Sequence, residues 1–196
     1  MSIWATCSKL APWPAAIVFL ISAPAKLCAQ LSLQEALTGA FAPPATVQRR
    51  TAFLSPEDLA AIGSAAGPDA PMAQRVVSYY VAMHGPTPVG VAYFDSHRVR
   101  TLNEVVMVVV EPHDSGPDRI RSIEVLRFAE PPEYHASEAW LDQFRGRSLN
   151  QRLSLKHSIA NMTGATLTST AIVRAARRVL ATHERLKPFD APGKAP

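Results

Sequence analysis

The sequence predicts an α+β fold, in which an antiparallel sheet of about four strands packs with N-terminal and C-terminal helices. Helical patterns stand near both ends of the chain, and four runs rich in β-branched and aromatic residues stand between them. Turn residues separate these runs at hairpin spacing, which favours an antiparallel sheet. Because helices, strands and helices follow in blocks, the order favours α+β over alternating α/β.

The four predicted strands have different patterns. They cover residues 76–82, 89–94, 104–110 and 119–128. The third run is apolar throughout, which predicts a central strand. The fourth run alternates in part, so we expect one of its faces to meet water.

Helix starts are marked by capping patterns. Ser32 and Ser55 each precede an acidic residue three positions later, which is typical of a capping box. The helices that begin there are predicted to end near Gly39 and Gly67. Further helices are predicted over 136–145, with Trp140 and Phe144 toward the core, and over 166–186, where the apolar residues repeat at helical spacing.

The first 29 residues have the pattern of a secretory signal peptide. They contain no acidic residue, and an apolar segment over 11–21 follows Lys9. Small residues come next, so cleavage is expected after Ala25 or Ala29. A spanning helix needs about 20 apolar residues, and prolines interrupt this segment, so an uncleaved membrane anchor is the alternative rather than the expectation. Both cysteines lie here, and the mature chain would have none.

Charge and motif content exclude several functional classes. The formal net charge of +4 is small and evenly spread, which argues against a nucleic-acid partner bound through phosphate contacts. The six histidines show no pair at three- or four-residue spacing, so no metal site is predicted. Nucleophile-elbow, P-loop and dinucleotide-binding patterns are missing from the sequence, and no catalytic residue is predicted.

One stretch, residues 162–170, has an unusual composition. It carries five hydroxyl side chains and one glycine at the start of the amphipathic last helix. A helix N-terminus exposes unpaired backbone N–H groups and a partial positive charge, which suits a phosphate. Gly164 permits a tight turn there. The alternative is a capped helix without a ligand, because serine and threonine are preferred caps.

The same stretch resembles a known family signature. Thr163-Gly164-Ala165-Thr166-Leu167-Thr168-Ser169 is similar to the S/T-G-A-T-x-T-S motif of FMN-binding domains, which include periplasmic flavoprotein subunits of sodium-pumping quinone reductase and of the Rnf complex. Segments 31–37, 128–134 and 140–146 also resemble this family. In the family, a flavin transferase joins the FMN phosphate to the last threonine of the motif.

This resemblance implies a site and a domain organisation. Thr166 would carry FMN through a phosphoester, and the neighbouring site residues would be Thr163, Gly164, Ala165, Leu167 and Thr168. Glu130 and Tyr134 are candidates for lining the isoalloxazine site; a solvated loop carboxylate and ordinary packing are their alternatives. The domains would be a signal peptide (1–29), an FMN-binding domain (30–187) and a flexible tail (188–196).

The implied function is that of a periplasmic electron carrier rather than a turnover enzyme. Its partners would be a flavin transferase for maturation and a membrane redox complex or cytochrome. Ala160 stands where the family usually has an aspartate, six residues before the acceptor, and this departure motivates a second hypothesis: a reductase that holds FMN without a covalent bond. A flavin-free envelope binding module, with Thr163 only capping the helix, is the third.

Overall fold

The computed structural model describes residues 32–190, so the predicted signal peptide lies outside the described residues. Its elements in chain order are α1 (Leu33–Ala40), β1 (Thr46–Phe53), α2 (Pro56–Ala66), β2 (Val76–His84), β3 (Thr87–Arg98), β4 (Asn103–Glu111), β5 (Arg119–Phe128), a 3₁₀ turn (Pro132–Tyr134), α3 (Glu138–Leu141), a second 3₁₀ turn (Asp142–Phe144) and α4 (Thr166–Leu186). The predicted α+β class is confirmed.

The sheet is an antiparallel meander with strand order β1-β2-β3-β4-β5. It has five strands in place of the expected four or so, because β1 lacks a strand-like pattern. This strand contains Gln48, Arg49 and Arg50, and six of its eight residues are exposed. It lies at the edge of the sheet and pairs only with β2 within the described residues. Its conformation therefore depends on that pairing rather than on buried side chains.

The helix starts follow the predicted capping patterns. Ser32 and Ser55 both form complete capping boxes at the N-termini of α1 and α2. The helix predicted over 136–145 is shorter, because Ser137 caps it and the chain tightens into a 3₁₀ turn after Leu141. Trp140 and Phe144 still pack in the core, with their rings 5.4 Å apart and edge-to-face.

Side chains from both faces of the sheet are buried. On one face Val106, Val108 and Val110 pack against α4, and on the other Met107 and Val109 pack against α1. This alternation is what the period of two in a strand requires. Helix α2 packs on α4 at the edge of the first layer. None of the helices in the described part of the chain is long and apolar enough to cross a membrane.

The C-terminal end of α4 continues into packed residues. Lys187 ends the helix in the left-handed conformation, with φ of 45°. Pro188 is buried, and the ring of Phe189 lies 5.0 Å from that of His183. The flexible tail predicted from residue 188 therefore begins with anchored residues. Its remaining part, 191–196, lies outside the described residues.

Candidate functional site

The candidate site begins in the turn that leads into α4. The backbone N–H of Ala165 donates to the carbonyl of Met162 at 3.1 Å, which closes a tight turn. Gly164 occupies the third position with φ of 80°, a conformation that glycine adopts without steric cost. Ser169 reaches back from the helix, and its hydroxyl accepts from the N–H of Met162 at 3.1 Å. These bonds fix the direction in which α4 starts.

The first turn of α4 is not capped by a side chain. Its N-cap is Ala165, which has no side-chain acceptor, whereas α1 and α2 have serine caps. Within residues 32–190, no hydrogen bond pairs the backbone N–H groups of residues 166–168. Thr163 is exposed and does not cap the helix, so the capped-helix alternative is wrong. The open amides and the helix dipole together favour an anion.

A cleft of about 170 Å³ opens at this helix start, and we call it the attachment cleft. Its lining consists of Arg100, Tyr134 and residues 164–168. The guanidinium carbon of Arg100 lies 4.7 Å from the centroid of the Tyr134 ring, a distance typical of a cation–π contact. The cleft therefore combines a cation, an aromatic face and the unpaired amides of the helix.

Thr166, the predicted acceptor, is exposed as the first residue of α4. The side-chain amide of Asn161 donates to its hydroxyl oxygen at 2.9 Å. Gly164 is also exposed, Leu167 is half exposed, and Ala165 and Thr168 are buried in the wall of the cleft. Tyr134 lines the same cleft. The structure thus brings together seven of the eight predicted site residues around one turn, Thr163 lying in the turn itself.

Glu130, the other candidate for lining the isoalloxazine site, anchors a turn of the backbone. One of its carboxylate oxygens accepts hydrogen bonds from the backbone N–H groups of Arg100, Thr101 and Leu102 at 3.2, 2.8 and 2.9 Å. The amides of Leu102 and Thr101 lower the pKa of this carboxyl. Glu130 does not line the attachment cleft; instead, it holds the β3–β4 turn that carries Arg100.

Two residues of the site are missing from the predicted set. From the sequence, the basic segment 97–100 could contact the FMN phosphate or an acidic partner, with a solvated edge as the alternative. Arg100 of this segment lines the attachment cleft, and Glu130 anchors its backbone. Asn161 lies five residues before Thr166, and only the tight turn brings the two side chains into contact. Ala160, at the aspartate position of the family motif, accepts a hydrogen bond from the indole N–H of Trp140 at 2.6 Å through its backbone carbonyl.

The fold and this site define a class of protein: an α+β domain whose longest helix begins uncapped at a cleft that suits an anion. Residues 102–181 match the family model of the FMN-binding domain, so the chain carries a domain of this family, and FMN is its cofactor. The matched segment runs from β4 into α4 and contains Tyr134, Asn161 and Thr166. Comparisons with curated proteins and with solved structures gave no match.

The residues present fit the phosphate end of FMN. A phosphate needs several hydrogen-bond donors, and the unpaired amides of residues 166–168 provide them at the positive end of α4. Arg100 adds a positive charge at the same cleft. Among the described residues, no group of three or more His, Cys, Asp or Glu side chains is arranged to hold a metal ion. The open amides and Arg100 together suit an anionic group.

Proposed function

We propose that this protein is an extracytosolic flavoprotein electron carrier, with FMN joined through a phosphoester to Thr166. The observation that carries the proposal is the exposed Thr166 hydroxyl at an uncapped helix start, inside the segment that matches the FMN-binding domain. FMN supplies the redox chemistry when bound. The chain supplies the tether, the hydrogen-bond donors to the phosphate, and the charged groups around the ring.

The side chains around Thr166 support a covalent attachment. Asn161 donates to one lone pair of the hydroxyl oxygen, which leaves a second lone pair and the hydroxyl proton free. The oxygen forms the bond to the FMN phosphorus while the phosphoanhydride bond of the flavin donor breaks and the other half of the donor leaves. The hydroxyl proton passes to a base of the flavin transferase. The amides of residues 166–168 stabilise the phosphate charge during and after the transfer. Ala160 contributes only backbone groups, so the departure from the family motif removes none of these contacts.

The signal-peptide pattern of the first 29 residues supports a location outside the cytosol, and a covalent bond is useful in such a location. A cofactor that dissociates outside the cytosol is diluted away, whereas a tether keeps its effective concentration high without a tight pocket. The attachment cleft, at about 170 Å³, is small for a whole FMN molecule. Electrons would then pass between a membrane redox complex or cytochrome and the tethered flavin.

The attachment is tested by mass spectrometry of protein made together with a flavin transferase. The peptide that contains Thr166 is expected to gain the mass of FMN less water, and Thr166→Val should abolish this gain. Thr163→Val is the matched control, because Thr163 is exposed in the same turn, and it should still be flavinylated. An unshifted wild-type peptide, with the flavin released into the filtrate on denaturation, would favour the non-covalent reductase instead.

A further inference from the structure

A second cleft of about 260 Å³ lies along α4, next to the attachment cleft. We call it the His97 groove, because His97 and Val99 form one wall and Leu167, Thr170 and Ala171 form the other. Leu167 also lines the attachment cleft, so the two clefts share a wall. Thr170 and Arg174 follow Thr166 at four-residue spacing, which places them on the same helix face, roughly 6 and 12 Å from it along the axis. A ligand tethered at Thr166 can therefore extend into this groove.

His97 is held between two carboxylates. Its Nδ1 lies 2.8 Å from an oxygen of Asp95, and its Nε2 lies 2.8 Å from an oxygen of Glu104. A neutral imidazole has one N–H donor, so donation to both carboxylates requires the imidazolium. Burial, the largest influence, disfavours this charge, but the bonds to Asp95 and Glu104 outweigh it and raise the pKa of His97 to about 8.

Charged groups from four elements surround His97. β3 supplies Asp95 and Arg98, β4 supplies the fully buried Glu104, α4 supplies Arg174 and Arg178, and the loop after α2 supplies Asp69. Arg178 pairs with Asp95 at 2.7 and 3.0 Å. While His97 is charged, four cations stand against three carboxylates; once it loses its proton, the numbers are equal. The ionisation of His97 therefore changes the net charge at the groove by one unit.

We propose that the isoalloxazine ring of FMN lies in the His97 groove, and that the positive charge of His97 stabilises the reduced ring. Neither Glu130 nor Tyr134 lines this groove, so the proposal replaces the role that the resemblance gives them. The inference rests on the placement of the FMN phosphate at Thr166. When an external electron donor supplies two electrons and solvent supplies one proton, the ring gains one negative charge. A cation at the groove wall lowers the free energy of that state. Reduction in turn raises the proton affinity of His97, because the linkage is reciprocal.

The first test is the midpoint potential of the flavin-loaded protein as a function of pH, measured by spectroelectrochemistry. Below pH 8, His97→Gln is expected to lower the equilibrium constant for flavin reduction about tenfold. This corresponds to a midpoint potential about 30 mV lower for a two-electron couple. The difference should fade above that pH, where wild-type His97 also loses its charge. His84→Gln is the matched control, since this exposed histidine lies at the other end of the β2–β3 hairpin. A shift that is absent, or equal at every pH, overturns the proposal.

The second test does not depend on the folding of a variant. The ring of His97 is titrated by NMR in the wild-type protein with oxidised and then with reduced FMN. A tenfold coupling predicts that its pKa is about one unit higher in the reduced protein. Equal values in the two states would overturn the role of His97. If the Thr166 peptide carries no FMN, the covalent attachment fails, and the same two measurements on FMN-saturated protein still decide the role of His97.

Discussion

Asn161 is the residue whose side chain contacts the predicted attachment point, through the 2.9 Å bond to Thr166. Truncation in Asn161→Ala removes the group that fixes the hydroxyl rotamer without touching the core, because Asn161 is exposed. We expect flavin attachment to slow by about tenfold to a hundredfold, the size of effect seen when a reacting group is misplaced. The initial rate of mass gain with a flavin transferase and its flavin donor measures this.

Asn161→Asp is the companion variant for that experiment. A carboxylate at this position can accept the hydroxyl hydrogen instead of donating to the oxygen, so the contact is kept with its direction reversed. Attachment should remain close to the wild-type rate. A wild-type rate in Asn161→Ala, with an unchanged melting temperature, would mean that the transferase alone orients Thr166.

The residues of the site differ in how far the sequence could predict them. Thr166 and its neighbours are contiguous in the chain, so a local motif was enough to find them. Arg100 depends on a bond between Glu130 and a distant turn, and Asn161 depends on the geometry of a tight turn. Such contacts are set by tertiary structure. The basic segment 97–100 could suggest a phosphate contact, but the sequence could not show which of its residues reaches the cleft.

At the scale of elements, the helices could be predicted from local sequence patterns, whereas the first strand depends on tertiary contacts. Capping boxes and apolar periodicity are local, and they predicted α1, α2 and α4 closely. β1 is polar and exposed, and its pairing with β2 determines its conformation. An edge strand of this kind also resists pairing with other chains, because Arg49 and Arg50 disfavour a second partner.

The start of α4 depends on one backbone conformation. Gly164 has φ of 80°, and a Cβ built there would meet no other atom within 4 Å. Gly164→Ala should therefore destabilise the fold by about 1–2 kcal/mol through backbone strain alone. It should also tilt the first turn and slow flavin attachment. Chemical denaturation gives the free energy of unfolding, and mass gain gives the attachment rate.

Gly63→Ala provides the control with the opposite expected sign. Gly63 lies inside α2, and an added Cβ would also meet nothing within 4 Å there. In a helix interior alanine is favoured over glycine by about 0.5–1 kcal/mol, so this variant should be more stable than wild type. Equal effects of the two substitutions would show that the turn before α4 tolerates a side chain.

At the scale of the whole molecule, two buried histidines have opposite charge preferences. His97 faces carboxylates at both nitrogens, which favours the imidazolium. His183 contacts the Tyr93 hydroxyl at 3.1 Å and Asp118 at 2.8 Å, one donor and one acceptor, which suits the neutral ring. Burial, the largest influence, lowers the pKa of His183, although Asp118 opposes it. His97 bridges β3 and β4, His183 links α4 to β3, and both carry pH-dependent stability.

These preferences predict a maximum of stability near the pKa of an unfolded histidine, about 6.5. The pKa of His97 is raised to about 8 on folding, so its contribution is complete below pH 6.5 and is lost as pH rises from 6.5 to 8. The corresponding change in the free energy of unfolding is about 2 kcal/mol. The pKa of His183 is lowered on folding, so its contribution is complete above pH 6.5 and declines below it.

Urea unfolding from about pH 5.5 to about pH 9 tests both limbs of this curve. The flavin-free Thr166→Val protein is the suitable background, because a bound cofactor would add its own pH dependence. His97→Gln should flatten the curve between pH 6.5 and 8, and His183→Gln should flatten it below pH 6.5. If the free energy of unfolding of His97→Gln falls between pH 6.5 and 8 as steeply as that of the Thr166→Val protein, the two carboxylates do not stabilise a charged His97. The positive charge assigned to the wall of the His97 groove is then wrong.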